Sequence, residues 1–312
     1  MQFIDLKRQL EHLRPAIEAR ISGVLEHGQF ILGPEVQELE QALADYCGVR
    51  HAIGVANGTD ALQLALMAAD IGPGDAVFTS AFSFFASAEV ISLVGATPVF
   101  VDIDAQSYNI CPNALESAVE AVDSEGKLTP RAIIAVDLFG LPADYPRIKP
   151  IAEKHGLTLV EDAAQSFGGA LYDQKSCSFG QMAATSFFPA KPLGCFGDGG
   201  AVFTDDDGLA DKIRSLRVHG KGKDKYDNVR IGLNSRLDTL QAAILLVKLA
   251  ELPDELRARQ RWADEYSGRL KSEFITPSVP PGATSAWAQY TVCPRVGRRE
   301  ACLRRLKEKG VP

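Results

Sequence analysis

Ser186 and Lys191 stand five residues apart between two strand-like runs, in ATSFFPAKPLGCFGDGGAVFTDD, Ala184 to Asp206. Phe187, Phe188, Leu193 and Phe196 flank the lysine, and an amine set among so many apolar groups is partly desolvated. Desolvation favours the neutral form, which is what a Schiff-base nucleophile needs; the plainer role is a surface lysine whose stem lies along an apolar patch. In LTLVEDAAQSFGG, Leu157 to Gly169, an apolar run ends in Glu161-Asp162, and Gln165 follows three residues later. A carboxylate at the tip of a buried strand calls for a cation. A protonated pyridine nitrogen would serve; a helix cap or an ion pair are the structural alternatives. In ANGTDALQLAL, Ala56 to Leu66, a strand ends in Asn57-Gly58-Thr59 and a helix begins at once. Free N–H groups and a hydroxyl at a helix N-terminus suit a phosphate, although Asn57 or Thr59 could act simply as an N-cap.

Their order carries more than any one of them. A phosphate-type loop, an acid at a strand tip, then a hydroxyl and a lysine follow one another over about 135 residues, and open α/β sheets bind ligands at such strand ends. An enzyme that uses pyridoxal 5'-phosphate (PLP) needs a lysine for the aldehyde, an acid for the ring nitrogen and a cup for the phosphate.

The elements that must position these groups are legible as alternation. HAIGVA, DAVFTS, TPVFVDI, RAIIAVDL, LTLVEDA, ATSFF and AVFTD read as seven strands, apolar on both faces. Between them TDALQLALMAAD, FFASAEVISLVG, PNALESAVEAV and YPRIKPIAEKHG repeat apolar residues at helical spacing, with Gly72, Gly95, Gly140 and Gly156 at the stops. The pattern predicts an α/β fold with a largely parallel sheet. Beyond Leu237 a long helical run carries Pro253, which places a bend or break near Leu252. A proline-rich crossing, a strand-like AWAQYTVC and a helix-like RREACLRRLKEKG follow. The expected organisation is a large domain over residues 1–245 and a small, incomplete α/β domain over 246–312, with apolar surface of AWAQYTVC left exposed.

A net charge of -7 argues against a nucleic-acid surface, and the locally basic run Arg295 to Lys309 reads as an ordinary helix face. MQFIDLKRQL lacks the pattern of a secretion signal, no stretch is apolar enough to span a bilayer, and the expected location is the cytoplasm. Six scattered cysteines without a C-x-x-C pair, and histidines without ligand spacing, point to free thiols and no metal.

The chain resembles the DegT/DnrJ/EryC1/StrS sugar aminotransferases, fold type I PLP enzymes, from Phe3-Ile4-Asp5-Leu6 onward. The anchors are GQFILGPEVQELE, ANGTDALQLAL, VEDAAQSFGG, TSFFPAKPLGCFGDGGAVFT and GLNSRLDTLQAAIL. The resemblance implies a seven-stranded large domain with PLP on Lys191, which also acts as acid and base. It implies that Asp162 pairs with the ring nitrogen, Gln165 with the ring hydroxyl and Phe82 with the ring face. Gly58, Thr59 and Ser186 would hold the phosphate. Asn234 would reach the phosphate in a neighbouring subunit, and Arg236 an acidic part of the substrate, so the working unit would be at least a homodimer with shared sites. Within the group, SFFPAKPLGCFGDGG and NSRLDTLQAAILL are similar to enzymes that aminate UDP-2-acetamido-2-deoxy-3-oxo-hexuronic acid for bacterial surface polysaccharides, with L-glutamate as donor. A 4-keto-6-deoxy or another 3-keto nucleotide sugar stays open as the acceptor, as does a non-catalytic sensor or structural homologue. Sugar 3-dehydratases of this fold carry histidine where Lys191 stands, and a nicotinamide-dependent dehydrogenase would need the G-x-G-x-x-G that is missing after the first strand. Members of the family usually run on by about fifty residues and carry there a His-Tyr-Pro segment of the sugar site.

Overall fold

The computed structural model describes residues 4–224, 226–295 and 299–311, so Phe3 of the N-terminal motif and part of the basic run after Arg295 lie outside the described residues. Helices α1 (Leu6–His27) and α2 (Pro34–Cys47) precede strand β1 (His51–Val55). The chain then alternates: α3 (Gly58–Ala68), β2 (Asp75–Ser80), α4 (Ala86–Leu93), β3 (Thr97–Val101), α5 (Pro112–Glu125), β4 (Thr129–Val136), α6 (Tyr145–Lys154) and β5 (Thr158–Asp162). A small hairpin of β6 (Ala170–Leu171) and β7 (Gln174–Lys175) leads to β8 (Met182–Ser186), β9 (Gly200–Thr204) and α7 (Asp207–Leu216). Asp206 caps α7 by accepting from the Leu209 N–H at 2.8 Å.

All seven expected strands form, in one sheet of order β1-β9-β8-β5-β4-β2-β3. Only β9 runs against its neighbours; the β8-β5, β5-β4, β4-β2 and β2-β3 pairs are parallel. Parallel neighbours require crossovers, which the helices supply, and both sheet faces are thereby covered. Strand periodicity divides the core: Ala132, Ile134 and Val136 pack with α3, α4 and α7 on one face, whereas Ile133 and Ala135 pack with α5 and α6 on the other. Because six strands share one direction, the C-terminal ends of β1, β2, β4, β5 and β8 open on a single edge of the sheet. Asn57-Gly58, Phe82, Asp162 and Ser186 all follow or end those strands.

The C-terminal part departs from expectation. Helix α8 (Thr239–Leu270) runs unbroken through Pro253, where the sequence predicts a bend or break. Proline withholds one N–H and costs about 3 kcal/mol in a helix interior. Here burial of Leu245, Leu249 and Leu252 in the cluster shared with α2 and the sheet offsets that cost. AWAQYTVC does not form a strand along its length: short pairs join β10 (Phe274–Ile275) to β12 (Cys293–Pro294) and β11 (Ala283–Thr284) to β6. Its apolar groups are also less exposed than expected, since Ala286 is buried, the Trp287 indole N–H donates to Gln260 on α8, and Tyr290 meets Ser267. Helix α9 (Arg299–Glu308) ends the described structure.

Candidate active site

Asn57 caps α3 through its side chain, which accepts from the Asp60 N–H at 2.8 Å. The cap leaves the Gly58 and Thr59 N–H groups without an intrahelical acceptor by position, so the capping role and the phosphate role are compatible. Gly58 meets Ser186 at the end of β8: a Cβ at residue 58 would lie 2.7 Å from the Ser186 Cβ. Behind them Gly200 is as tightly placed, because a Cβ there would come within 2.5 Å of the Asn57 carbonyl. The loop after β1 and the tip of β8 thus form one cradle that side chains at 58 or 200 would fill.

Asp162 is 5% exposed at the tip of β5. Ser87 on α4 donates to its Oδ2 at 2.8 Å and the Ala164 N–H to its Oδ1 at 3.2 Å. Burial raises its carboxyl above the usual range, while those hydrogen bonds and the charge of Lys191 pull the other way. The expected cation is therefore felt through space, from Lys191, and the direct partners are neutral. Lys191 shows the reciprocal effect: burial lowers its ammonium, and Asp162 opposes the shift. A lysine held toward its neutral, nucleophilic form within electrostatic reach of a buried carboxylate is equipped for carbonyl chemistry.

Gln165 accepts from the Phe139 N–H at 2.7 Å through Oε1, which fixes the amide and leaves its NH2 as the donating end. The Phe82 ring, 49% exposed, stands 6.2 Å from both Tyr108 and Phe139, whose rings are 5.8 Å apart. Phe139 and Tyr108 both adopt left-handed backbone, with φ of 60° and 62°. Strain of this kind needs surrounding support, and here it aims two rings at Phe82.

Asn234 and Arg236 are not brought to Lys191 within the chain. They line a separate concavity with Ile31, Ala56, Gly197 and Asp198. Between them the buried Ser235 accepts from the Ala56 N–H at 3.1 Å, so their loop lies against the back of the Asn57-Gly58 turn. Lys191 opens instead onto a hollow walled by Asp5, Arg8 and His12 of the N-terminal segment and by Lys248, Glu255 and Arg259 of α8.

Sequence reasoning missed three features. Lys248 is buried on α8, and its signal was a lysine in step with Leu245, Leu249 and Leu252 on the apolar stripe. Phe139 carried no local signal. Asp137, just past β4, lies fully buried beside Glu161. Asp137 accepts from Ser166 at 2.6 Å, Tyr145 at 2.7 Å and the Ala143 N–H at 2.8 Å, and Glu161 accepts from the N–H groups of Cys177 and Phe179. Burial above all pushes the Asp137 carboxyl up to about 7 and the Glu161 carboxyl well above its usual value, with the charge of Asp137 adding to the rise at Glu161.

The sign of the pH effect follows. Between about pH 4 and 7 the folded chain keeps a proton on Asp137 that the unfolded chain has lost. Stability should therefore fall as pH rises across that window, by up to about 1.4 kcal/mol per pH unit for one proton. Urea unfolding of the wild type and of Asp137→Asn at pH 4 to 7 should give diverging curves, the wild type falling more steeply; parallel curves would refute the assignment.

Among the described residues one carboxylate–histidine group has metal-ligand proximity: Glu116, Glu120 and His155, with ligand atoms within 4.8 Å of one another. The Lys154 ammonium already lies 2.7 Å from Glu116 and 3.3 Å from Glu120, so the compensating cation there is the chain's own.

The strand order, the crevice at the strand ends and the lysine–carboxylate pair define a type I PLP-dependent transferase. The model of the DegT/DnrJ/EryC1/StrS aminotransferase family matches residues 11–312, and the chain belongs to that family. It is 50% identical to UDP-2-acetamido-2-deoxy-3-oxo-D-glucuronate aminotransferase of Pseudomonas aeruginosa, over all of this chain and 84% of that protein. A DegT DnrJ EryC1 StrS aminotransferase from Brucella abortus superimposes with a TM-score of 0.98 at 54% identity, over all of this chain and 83% of the other. NtdA from Bacillus subtilis, solved with bound pyridoxamine phosphate, gives a TM-score of 0.90 at 29% identity, over all of this chain and 70% of the other. The protein is a PLP-dependent sugar aminotransferase. No helix among the described residues is long and apolar enough to cross a membrane.

Proposed function

We propose that this chain moves an amino group from L-glutamate to the 3-keto group of a nucleotide-linked sugar, UDP-2-acetamido-2-deoxy-3-oxo-D-glucuronate, in the cytoplasm, for bacterial surface polysaccharides such as the O antigen of lipopolysaccharide. The observation that carries the reading is the placement of the half-buried Lys191 within electrostatic reach of Asp162, which is buried at the tip of β5. The half-identical Pseudomonas aeruginosa relative supports the sugar.

PLP supplies an electron sink for the carbanion that amino transfer requires. Lys191 would hold the cofactor through its amine and, once released, would act as the base and acid that moves the proton at the substrate carbon. Asp162 keeps the ring nitrogen protonated, with Ser87 holding its Oδ2 in place. Gln165 donates its NH2 to the ring hydroxyl, and Phe82, braced by Tyr108 and Phe139, covers one ring face. Gly58, Thr59 and Ser186 bind the phosphate. Asn234 of a second copy completes that phosphate site, and Arg236 of the second copy meets the uronate carboxylate. Their placement in a hollow of their own, apart from the one beside Lys191, supports a homodimer with shared sites.

The acceptor is tested by offering the PLP-loaded chain and L-glutamate the 3-keto uronate, the 3-keto sugar without the carboxylate and a 4-keto-6-deoxy sugar, with products read by mass spectrometry. The 3-amino uronate should form at the highest kcat/KM, and Arg236→Ala should raise KM for the uronate at least about tenfold, the usual cost of losing a charged hydrogen bond. Preferential amination of the 4-keto sugar would overturn the assignment.

A further inference from the structure

Lys248 is a buried charge that the mechanism above does not use. It is 4% exposed, on the stripe of α8 that also buries Leu245, Leu249 and Leu252. Its ammonium donates to the carbonyl of Gly194 and lies 5.5 Å from the centroid of the Phe196 ring. Glu255 acts on it through space, and no ion pair to it forms among the described residues. Burying an ammonium without a carboxylate is costly, so what it touches is informative.

It touches the turn that carries Lys191. That turn closes on itself: the Lys191 N–H donates to the Phe188 carbonyl at 2.8 Å, and the Cys195 N–H donates to the Phe187 carbonyl at 2.7 Å. Gly194 packs so closely that a Cβ there would lie 2.5 Å from the Pro189 oxygen and 2.7 Å from the Phe188 oxygen. Among the described residues, the Lys248 hydrogen bond is the one that ties the segment from Pro189 to Gly194 to another element. A second tie follows just beyond it, where the Phe196 N–H donates to Gln241 of the same helix at 2.8 Å.

We propose that Lys248 is a positioning residue for Lys191: by holding the Gly194 carbonyl against α8 it fixes the closed turn from which the Lys191 amine reaches the aldehyde of the cofactor. The inference rests on Lys191 being the cofactor lysine. The cation–π contact with Phe196 and the apolar stem keep the ammonium in its slot, and the rigid 32-residue helix supplies the fixed reference.

The test is the rate at which full-length apoenzyme captures PLP, with Lys191 nitrogen bonding to the aldehyde carbon and one water leaving, followed as growth of the visible absorbance band. Lys248→Met keeps the stem and removes the donor. It should slow capture roughly tenfold to a hundredfold, the scale expected when a reacting group is misplaced by about 1 Å. The melting temperature should stay within a few degrees of wild type, and Lys248→Arg should recover most of the rate. Lys248→Gln, whose shorter arm falls short of the Gly194 carbonyl, should behave like the methionine variant and decides the matter if that variant does not fold. Capture at the wild-type rate in either variant overturns the proposal. So does a wild-type capture rate combined with a raised KM for L-glutamate, which would make Lys248 a carboxylate anchor. If the wild type itself captures no PLP through Lys191, the underlying assignment of Lys191 fails instead.

Discussion

Replacing Lys191 with alanine should lower transamination by at least about a thousandfold, because one substitution removes both the nucleophile for the cofactor aldehyde and the base that moves the proton. The chain should still fold: the side chain sits on a turn whose closure depends on backbone bonds to Phe187 and Phe188, not on the amine. Single-turnover mixing of the variant with PLP and L-glutamate, with 2-oxoglutarate as the readout, gives the number. A drop of less than tenfold, with PLP bound, would mean that another group performs the proton transfer. The hollow next to Lys191 also holds Lys248, so the double variant Lys191→Ala, Lys248→Met separates residual activity of Lys248 from that of the cofactor alone.

Asp162→Asn should be the next most damaging change. Asparagine keeps the volume and can still accept from the Ser87 hydroxyl, which bonds Oδ2 at 2.8 Å, but it no longer holds a proton on the ring nitrogen. The loss should be about a hundredfold to a thousandfold in kcat, equivalent to roughly 2.7 to 4 kcal/mol of barrier, the range seen when a single preorganised electrostatic group is removed. KM for L-glutamate should change much less, since the carboxylate acts on the cofactor and not on the substrate. An unchanged kcat would show that the buried carboxyl serves α4 and the strand tip alone.

Much of this was legible beforehand because it is local. Seven β-branched runs separated by helical spacing could form little but a covered, mostly parallel sheet, and parallel strands put Gly58, Asp162 and Ser186 on one edge. Even the competing readings of the Asn57 loop proved compatible, since Asn57 caps α3 while the Gly58 and Thr59 N–H groups stay free of it by position. What escaped was set by distant partners. Asp137 and Glu161 meet only after β4 and β5 pair, and neither residue announces the other in sequence. Pro253 predicts a break from local rules alone, whereas burial of Leu249 and Leu252 keeps α8 continuous. AWAQYTVC alternates like a strand but finds pairing partners only at its C-terminal end, in β12. Lys248 falls in step with the apolar stripe, but only the Gly194 carbonyl, 54 residues away, reveals why it is buried.

The most direct test of the central claim is the first half-reaction of the unmodified chain. Loaded with PLP and mixed with L-glutamate in the absence of any sugar, it should lose its visible absorbance band and release one 2-oxoglutarate per Lys191 site, and a 3-keto nucleotide sugar should then restore the band. A folded, PLP-loaded chain that gives neither the spectral change nor 2-oxoglutarate with L-glutamate would contradict the account.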